Sequence, residues 1–373
     1  MYTKSNLDII GFNVINGDKH LHKISNQDFL EIVEKLKLTT EQRDLYQKLL
    51  KNERSRYVAH NHLLESVNEG YQERYTRYKQ KNTELCITCV KELLEKYPQI
   101  KTKNIKSLVS NNTVGGMVPN ITSSIANSLQ IQNIRVIDLG YMGCATALLA
   151  LELIEKELNA GEVGIVISAE ITSVMMNLEA ESNPSLVANS VFGDGIGAFL
   201  VAKKPHTYKA ILSIKGHSAS LITHDKALSC VTYDSNSIYH EINIHDTIPE
   251  VANEGIKAAL PPIIKNHLAT PYDKIKFVIN KKIPEWQKNV DYAVLHTAGN
   301  KILHKLSENL KLKDKKVAHN FSAFNNYGNT SSASIYYALD YLYQENNVKP
   351  KQKFLFLAYG SGFFTRSCVM ESI

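Results

Sequence analysis

The sequence predicts an α/β protein built on a mostly parallel sheet. Apolar runs of strand length alternate with amphipathic helical segments along the chain. The strongest runs, such as "GEVGIVISAE", are apolar throughout, as strands buried on both faces are. In both halves a strand ends in a small polar motif that opens a helix.

The elements follow in order. Residues 26 to 100 read mostly as helix, with charged residues interleaved among Leu, Ile and Val at helical spacing. "IKSLVSNN" is a strand that runs into the loop "NTVGGMVPN". A helix from about Ile121 to Leu129 leads to the strand "IRVIDLG". Next comes "YMGCATALLALELIEKEL", which places Cys144 at the start of a helical pattern. A helix N-terminus favours a thiolate, predicting a lowered thiol pKa there; a small core residue is the plain alternative. "GEVGIVISAE" and the glycine-punctuated "SVFGDGIGAFLVAK" are strands. The second half has the same grammar: strand "KAILSIKGHSA", helix "IPEVANEGIKAALPPIIKNH", and a strand running into a helix in "VDYAVLHTAGNKILHKLSENL". A further strand-loop-helix reads from "KVAHNFSAFNNYGNTSSASIYYALDYLY", and the strand "KFLFLAYGSGF" follows. A boundary around "KKPHTY" divides the chain into residues 1–205 and 206–373, alike in architecture without residue-level self-similarity.

With 373 residues, 43% of them apolar and 21% charged, the chain has an ordinary globular composition. Its formal charge of +6 is mild and spread out, so nucleic-acid binding is not implied. No signal peptide and no 18-residue apolar span is legible, so a soluble, cytoplasmic protein with no membrane span is expected. Five scattered cysteines argue against a disulfide framework. The pair Cys86 and Cys89 lies inside a helical pattern with no second Cys/His pair nearby. It reads as two core residues, and no metal is expected.

Three strand-to-helix junctions carry apt chemistry: Cys144 in "MGCAT", His296 in "LHTAGN" and Asn329 in "YGNTSSAS". A thiol nucleophile with a histidine and an amide can form a covalent acyl-transfer site. Each alone has an ordinary explanation as a cap or core residue. Their recurrence at equivalent architectural points is harder to assign to chance.

These motifs, in this order, resemble the condensing enzymes of the thiolase superfamily. The branch is the one holding β-ketoacyl-ACP synthase III, chalcone-synthase-like type III polyketide synthases and plant 3-ketoacyl-CoA synthases. "DLGYMGCATALLALEL" resembles the nucleophile segment of the plant enzymes, and "FGDGIGAFLVA" is similar to the F-G-D-G strand of the others. "HTAGNKILHKL" and "YGNTSSASIYYAL" resemble the family's histidine and asparagine segments, and "AYGSGFFTRSCV" its closing glycine-rich strand.

The resemblance implies a five-layer αβαβα fold from two related halves, working as a homodimer. It implies Cys144 as the acylated nucleophile with His296 and Asn329 as partners, and the main-chain N–H groups of Cys144 and Ser361 as oxyanion donors. His296 and Asn329 would stabilise the enolate formed as a malonyl thioester loses carbon dioxide. Lys51, Arg54 and Arg56 occupy the place where relatives hold the phosphate of coenzyme A or a carrier protein. Met117 or Val118 stands where relatives reach into the partner's pocket. Substrates would be acyl-CoA or acyl-ACP with malonyl-CoA or malonyl-ACP, and no cofactor is expected. Glu170 and Asp194 read as structural acids.

Three departures bear on the product. Ala145, Thr146, Ala147 and Leu148 follow the cysteine where the family often has small glycine-rich residues. Membrane helices like those at the N-terminus of the plant enzymes are not legible, and the "NNTVGGMVPN" loop has no acid. Thr146, Leu148, Phe363 and Phe364, if they face inward, would favour a narrow channel and a single extension. The leading expectation is a decarboxylative Claisen condensing enzyme. An iterative type III polyketide synthase, an acyltransferase with a non-malonyl acceptor and a non-catalytic partner subunit are the alternatives.

Overall fold

Val163–Glu170 is buried along its whole length, and its side chains divide between two cores: Ile165, Ile167 and Ala169 face one, Val166 the other. Lys353–Tyr359 does the same, with Phe354, Phe356 and Ala358 on one side and Leu355, Leu357 and Tyr359 on the other. Strands covered on both faces read as unbroken apolar runs, which is why both were legible. The computed structural model in which they occur describes residues 1–60, 63–235, 240–270 and 285–373.

The strands are numbered along the chain. β1 (Tyr2–Lys4) and β2 (Leu7–Val14) come first, and β3 (His22–Ser25) and β4 (Ser55–Val58) form a small ribbon. Then come β5 (Ile105–Asn112), β6 (Arg135–Gly140), β7 (Val163–Glu170), β8 (Gly195–Lys203) and β9 (Leu212–Leu221). β10 (Val231–Ser235) and β11 (His240–Ile244) make a second ribbon. β12 (Tyr292–Leu295), β13 (Lys353–Tyr359) and β14 (Phe364–Ser372) complete the set. The main sheet has the order β12-β13-β14-β9-β2-β8-β7-β5-β6, with β1 beside β9.

Pairing repeats outward from β2 and β9. The β2–β8 and β8–β7 pairs are antiparallel and β7–β5 is parallel; β9–β14, β14–β13 and β13–β12 follow the same sequence of directions. The sheet is therefore mixed, not mostly parallel as expected. Among the described residues, the parallel pairs are β5–β6, β5–β7 and β12–β13. Burial on both faces removes the apolar/polar alternation that an exposed antiparallel strand would show, so direction was not legible.

Five layers follow from the cores. One core packs the outer face of β5, β7 and β8 against helices Tyr71–Lys96 and Ile121–Ser128. A middle core encloses helices Thr146–Glu157 and Ser334–Glu345 between the two wings of the sheet, with Val166, Phe199, Phe354 and Phe356 lining it. A third covers the far wing with helices Ile248–Ile263 and Asn300–Asn309. The wings join where Asp8 pairs with Ser213 and Ile9 with Leu212.

One expected strand is a helix. The segment "KVAHNF" lies largely in the helix Ala318–Tyr327. Asn320 Nδ2 donates to Ala293 O at 2.8 Å and its Oδ1 accepts from Leu295 N at 2.8 Å, while His319 Nε2 lies 3.1 Å from the same carbonyl. These side chains satisfy the edge of β12 that another strand would otherwise have covered. Cys86 and Cys89 lie fully buried on the helix Tyr71–Lys96. Among the described residues, no helix is long and apolar enough to cross a membrane.

Candidate active site

The two middle-layer helices bring the site together, because each begins close after a predicted site residue. β6 ends at Gly140, and a turn through Gly143, at φ +72°, leads to Cys144 and the helix that starts at Thr146. Cys144 thus stands just outside the helix. The other helix starts at Ser334, five residues after Asn329. Ser331 Oγ, from this second turn, lies 3.3 Å from Cys144 Sγ.

A third turn, after β13, closes the constellation. A Cβ on Gly143 would come within 2.7 Å of Ser361 N, and one on Gly360 within 2.9 Å of Cys144 N. Only glycines allow these two turns to touch. The contact places the main-chain N–H groups of Cys144 and Ser361 on one wall. Among the described residues, neither group donates to a main-chain carbonyl.

Cys144, His296, Asn329 and Ser361 all line one cavity, together with Thr113, Gly143, Tyr359 and Gly360. The remaining wall is apolar, including Phe192, Ile242, Ile244, Ile248, Ile302 and Phe363. Such a lining suits a hydrocarbon chain.

His296 follows β12, with its N–H donating to Leu357 O at 2.9 Å and Nδ1 lying 2.7 Å from Ser334 Oγ. Burial lowers its pKa to about 3, against a smaller opposing effect of the Ser331 carbonyl, so the imidazole is neutral at ordinary pH. Asn329 is fixed by its N–H to Val191 O at 2.8 Å and by Gly193 N–H to its own carbonyl at 3.1 Å. Its Oδ1 accepts from Ser331 N at 2.9 Å, which leaves the Nδ2 donors as the end it can offer to a ligand.

The thiol contradicts one expectation. Burial pushes Cys144 up to about 12, and the Glu170 charge adds to this; the contacts from Ser331 and its own N–H work the other way but lose. The cysteine is exposed only in part, and desolvation outweighs the nearby helix end.

Glu170 and Asp194 are buried and hydrogen-bonded, as structural acids should be. Asp194 accepts from Ala59 N at 2.7 Å and Ser173 N at 2.8 Å, which pins two loops. Glu170 is closer to the site than the sequence indicated, because Thr113 and Ser331 connect it to Cys144. Both hydroxyl residues lie in motifs already singled out, but a serine or threonine in a loop carries no distinguishing signal.

The basic cluster divides. Arg56 is fully buried, with Nη1 donating to Asn189 O at 2.8 Å and Nη2 to Asn26 Oδ1 at 3.0 Å, so it cannot reach a phosphate. Arg54 is half-buried, donating to Ser190 O at 2.5 Å with its guanidinium 4.6 Å over the Phe324 ring. Lys51 is exposed, and it shares an open groove lined largely by polar residues with Arg54. Thr146 and Leu148 do not line the cavity: Leu148 lies in the middle core, and Thr146 Oγ1 donates to Gly143 O at 2.6 Å. Met117 is buried, whereas Val118 is 81% exposed.

Residues 286–372 match the C-terminal region of 3-oxoacyl-[acyl-carrier-protein] synthase III. A probable 3-ketoacyl-CoA synthase 21 from Arabidopsis thaliana is 26% identical over 308 residues, 77% of this chain and 65% of that protein. The 3-ketoacyl-CoA synthase 8 of the same plant is 27% identical over 79% of this chain and 64% of its own. The chain therefore spans slightly under two thirds of the length of these relatives. Among solved structures, PKS-I from the brown alga Ectocarpus siliculosus superposes with a TM-score of 0.85 at 17% identity, covering 100% of this chain and 99% of its own. The tetrahydroxynaphthalene synthase of Streptomyces coelicolor, a bacterial type III polyketide synthase, gives 0.79 at 19% identity, covering 99% of each chain. Those two likenesses establish the thiolase-like fold. Residues 3–283, well over half the chain, match the family described as FAE1/type III polyketide synthase-like protein, and to that family the chain belongs.

Proposed function

We propose that this chain is a decarboxylative Claisen condensing enzyme that joins a cysteine-bound acyl group to a malonyl thioester. The observation that carries the reading is the convergence of Cys144, His296 and Asn329 with the Gly360–Ser361 turn on one apolar cavity. Cys144 attacks the acyl thioester, and the N–H groups of Cys144 and Ser361 receive the oxyanion as the carrier thiol leaves. The malonyl thioester then enters, with its carbonyl toward neutral His296 and the Nδ2 of Asn329. Both donate to the enolate that forms as carbon dioxide departs, and the enolate carbon attacks the acyl-cysteine, breaking its C–S bond so that the Cys144 thiolate leaves and the 3-oxoacyl thioester is released. The names of the curated relatives support a 3-oxoacyl product.

Lys51 and Arg54 are our candidates for the phosphate of coenzyme A or a carrier protein. We further infer a homodimer through the outer strand β6 and its flanking loops, where Val136 on the strand and Val118, Tyr141 and Met142 outside it are exposed. The test is to incubate the protein with acyl-CoA, weigh it intact, then add labelled malonyl-CoA. An acyl adduct on Cys144 that is lost as a 3-oxoacyl thioester forms is the expected result. No adduct with any acyl length or carrier would favour a non-catalytic partner subunit.

A further inference from the structure

Among the described residues six tyrosines are buried, and five of them have a partner for the hydroxyl. Tyr46 donates to Leu178 O, Tyr57 to Asp18 Oδ1, Tyr78 to Gly115 O and Tyr337 to Ile15 O, while Tyr336 accepts from Ser168 Oγ. The sixth is Tyr359, at the end of β13 and 4% exposed. Its hydroxyl has no hydrogen-bond partner among the described residues. A buried hydroxyl left unpaired costs free energy, and a phenylalanine would pack in the same way without that cost. Tyr359 lines the active-site cavity, and its ring meets that of His296 edge-on at 5.2 Å. Its phenol is near enough to Cys144 for the thiolate charge to act on it. That charge and burial both push the phenol up, so it keeps its proton and offers a donor.

The other polar groups of the cavity are committed. Thr113 Oγ1 donates to Glu170 Oε1 at 3.0 Å, and Ser361 Oγ donates to Val231 O at 3.2 Å. In the proposed reaction the N–H groups of Cys144 and Ser361 receive the acyl oxygen, while His296 and Asn329 receive the malonyl thioester carbonyl. The free carboxylate of the malonyl group is then left without a partner. Among the described residues, no Lys or Arg lines the cavity to meet it.

We propose that the Tyr359 hydroxyl donates to the free carboxylate of the malonyl thioester, and so recognises this substrate and orients it. This rests on the reading of the chain as a decarboxylative condensing enzyme. The placement follows from the reaction. The methylene carbon must face the acyl-cysteine while the thioester carbonyl meets His296, so the carboxylate falls beside both, where Tyr359 stands. A single neutral donor suits the step. It admits a carboxylate that an apolar wall would reject, yet supports the charge less than a lysine or arginine, which would oppose its departure. As the bond between the carboxylate and methylene carbons breaks, its electron pair enters the enolate and carbon dioxide leaves. The phenol keeps its proton throughout. The hydrogen bond is therefore strongest before the transition state, and it serves binding more than rate.

Tyr359→Phe removes the oxygen and keeps the ring. Release of labelled carbon dioxide from malonyl-CoA is measured against concentration, and acyl loading of Cys144 is followed by intact mass. KM for malonyl-CoA should rise about tenfold, as one hydrogen bond to a charged group is lost. The kcat should stay within about threefold of wild type, the pattern of lost ground-state binding. Acyl loading should be unchanged and the melting temperature no lower, since no protein partner is lost. An unchanged KM would overturn the proposal. So would slower acyl loading, which would put the hydroxyl on the acyl oxygen, or a fall in kcat alone, which would put it on the enolate. A variant that melts lower or does not fold would also overturn it, because the hydroxyl would then serve the fold. A wild type that neither loads acyl groups nor releases carbon dioxide fails the condensing reading and the proposal together. A working wild type matched by Tyr359→Phe fails the proposal alone.

Discussion

His296 Nδ1 lies 2.7 Å from the hydroxyl of Ser334, the first residue of a middle-layer helix. The helix that follows Asn329 thereby orients the histidine as well, and the two enolate donors are set by one stretch of chain. The Ser331 carbonyl is a second partner of the ring, so this stretch of chain holds the imidazole through two groups. Ser334→Ala should leave the fold intact and lower malonyl-CoA decarboxylation by about tenfold, through loss of one orienting hydrogen bond. Unchanged decarboxylation would mean that packing alone fixes the ring.

Removing the donors themselves should cost more. His296→Ala and Asn329→Ala are each expected to slow decarboxylation by about a hundredfold or more. Acyl loading should survive better in Asn329→Ala, because its amide serves the malonyl step. The neutral state of His296 has its own check. Its folded pKa lies below the ordinary value, so it gains a proton only in strong acid. Its ring signals in NMR should not titrate between about pH 5 and 8, and a midpoint near the ordinary value of about 6.5 would contradict the burial argument.

Cys144→Ala should abolish both acyl loading and condensation while thermal unfolding stays close to wild type. Gly360→Ala probes the neighbouring wall by steric means alone, since its Cβ would meet Cys144 N at 2.9 Å. Displacing that main chain should lower kcat by about a hundredfold through a damaged oxyanion site, with KM little changed. A variant that turns over normally would separate the Gly143–Gly360 contact from catalysis.

Lys51 and Arg56, five positions apart, should behave in opposite ways. Arg56→Ala leaves the acceptors at Asn189, Phe192 and Asn26 without a donor. Each such loss costs about 1–3 kcal/mol, so denaturant unfolding should show a large destabilisation. Lys51→Ala should leave stability unchanged and raise KM for the CoA thioester. A soluble, stable Arg56→Ala with raised KM would restore that residue to the phosphate site.

What the sequence conveyed and what it hid follow the same physical divide. Cys144 and His296 were legible because each sits in a short motif between a strand and a helix, where few residue types fit; Asn329 was legible from its own turn motif, although a helix and not the expected strand precedes it. Strand direction was hidden by burial on both faces, as in β8 and β14. The helix Ala318–Tyr327 was misread because Asn320 and His319 hydrogen-bond to a strand, a tertiary contact without a local signature. The same holds for Arg56, whose charge suggested a surface while its partners lie 30 and 133 residues away along the chain. The thiol pKa went wrong on magnitude: a helix end contributes about 1 kcal/mol, and full desolvation is larger.

The number of extensions depends on the shape of the cavity. Three of the four residues expected to narrow it do not: Leu148 is in the middle core, Phe364 packs against that same core, and Thr146 is tied to the Gly143 carbonyl. Phe363 does line the cavity, stacked at 6.2 Å on Tyr359, whose ring meets His296 edge-on at 5.2 Å. This aromatic row backs the histidine, and aliphatic residues from β11 and the following helix supply more of the wall. Few polar groups are available there to hold the repeated carbonyls of a poly-β-keto chain. A hydrocarbon tail meets no such deficit. One extension to a linear 3-oxoacyl thioester should therefore dominate when acyl-CoAs of several lengths are offered with labelled malonyl-CoA. Phe363→Ala should shift the preferred acyl length upward, since it opens the wall beside Tyr359 without touching the reacting groups. A main wild-type product holding three or more malonyl units, closed into a ring, would place the chain with the iterative polyketide synthases instead.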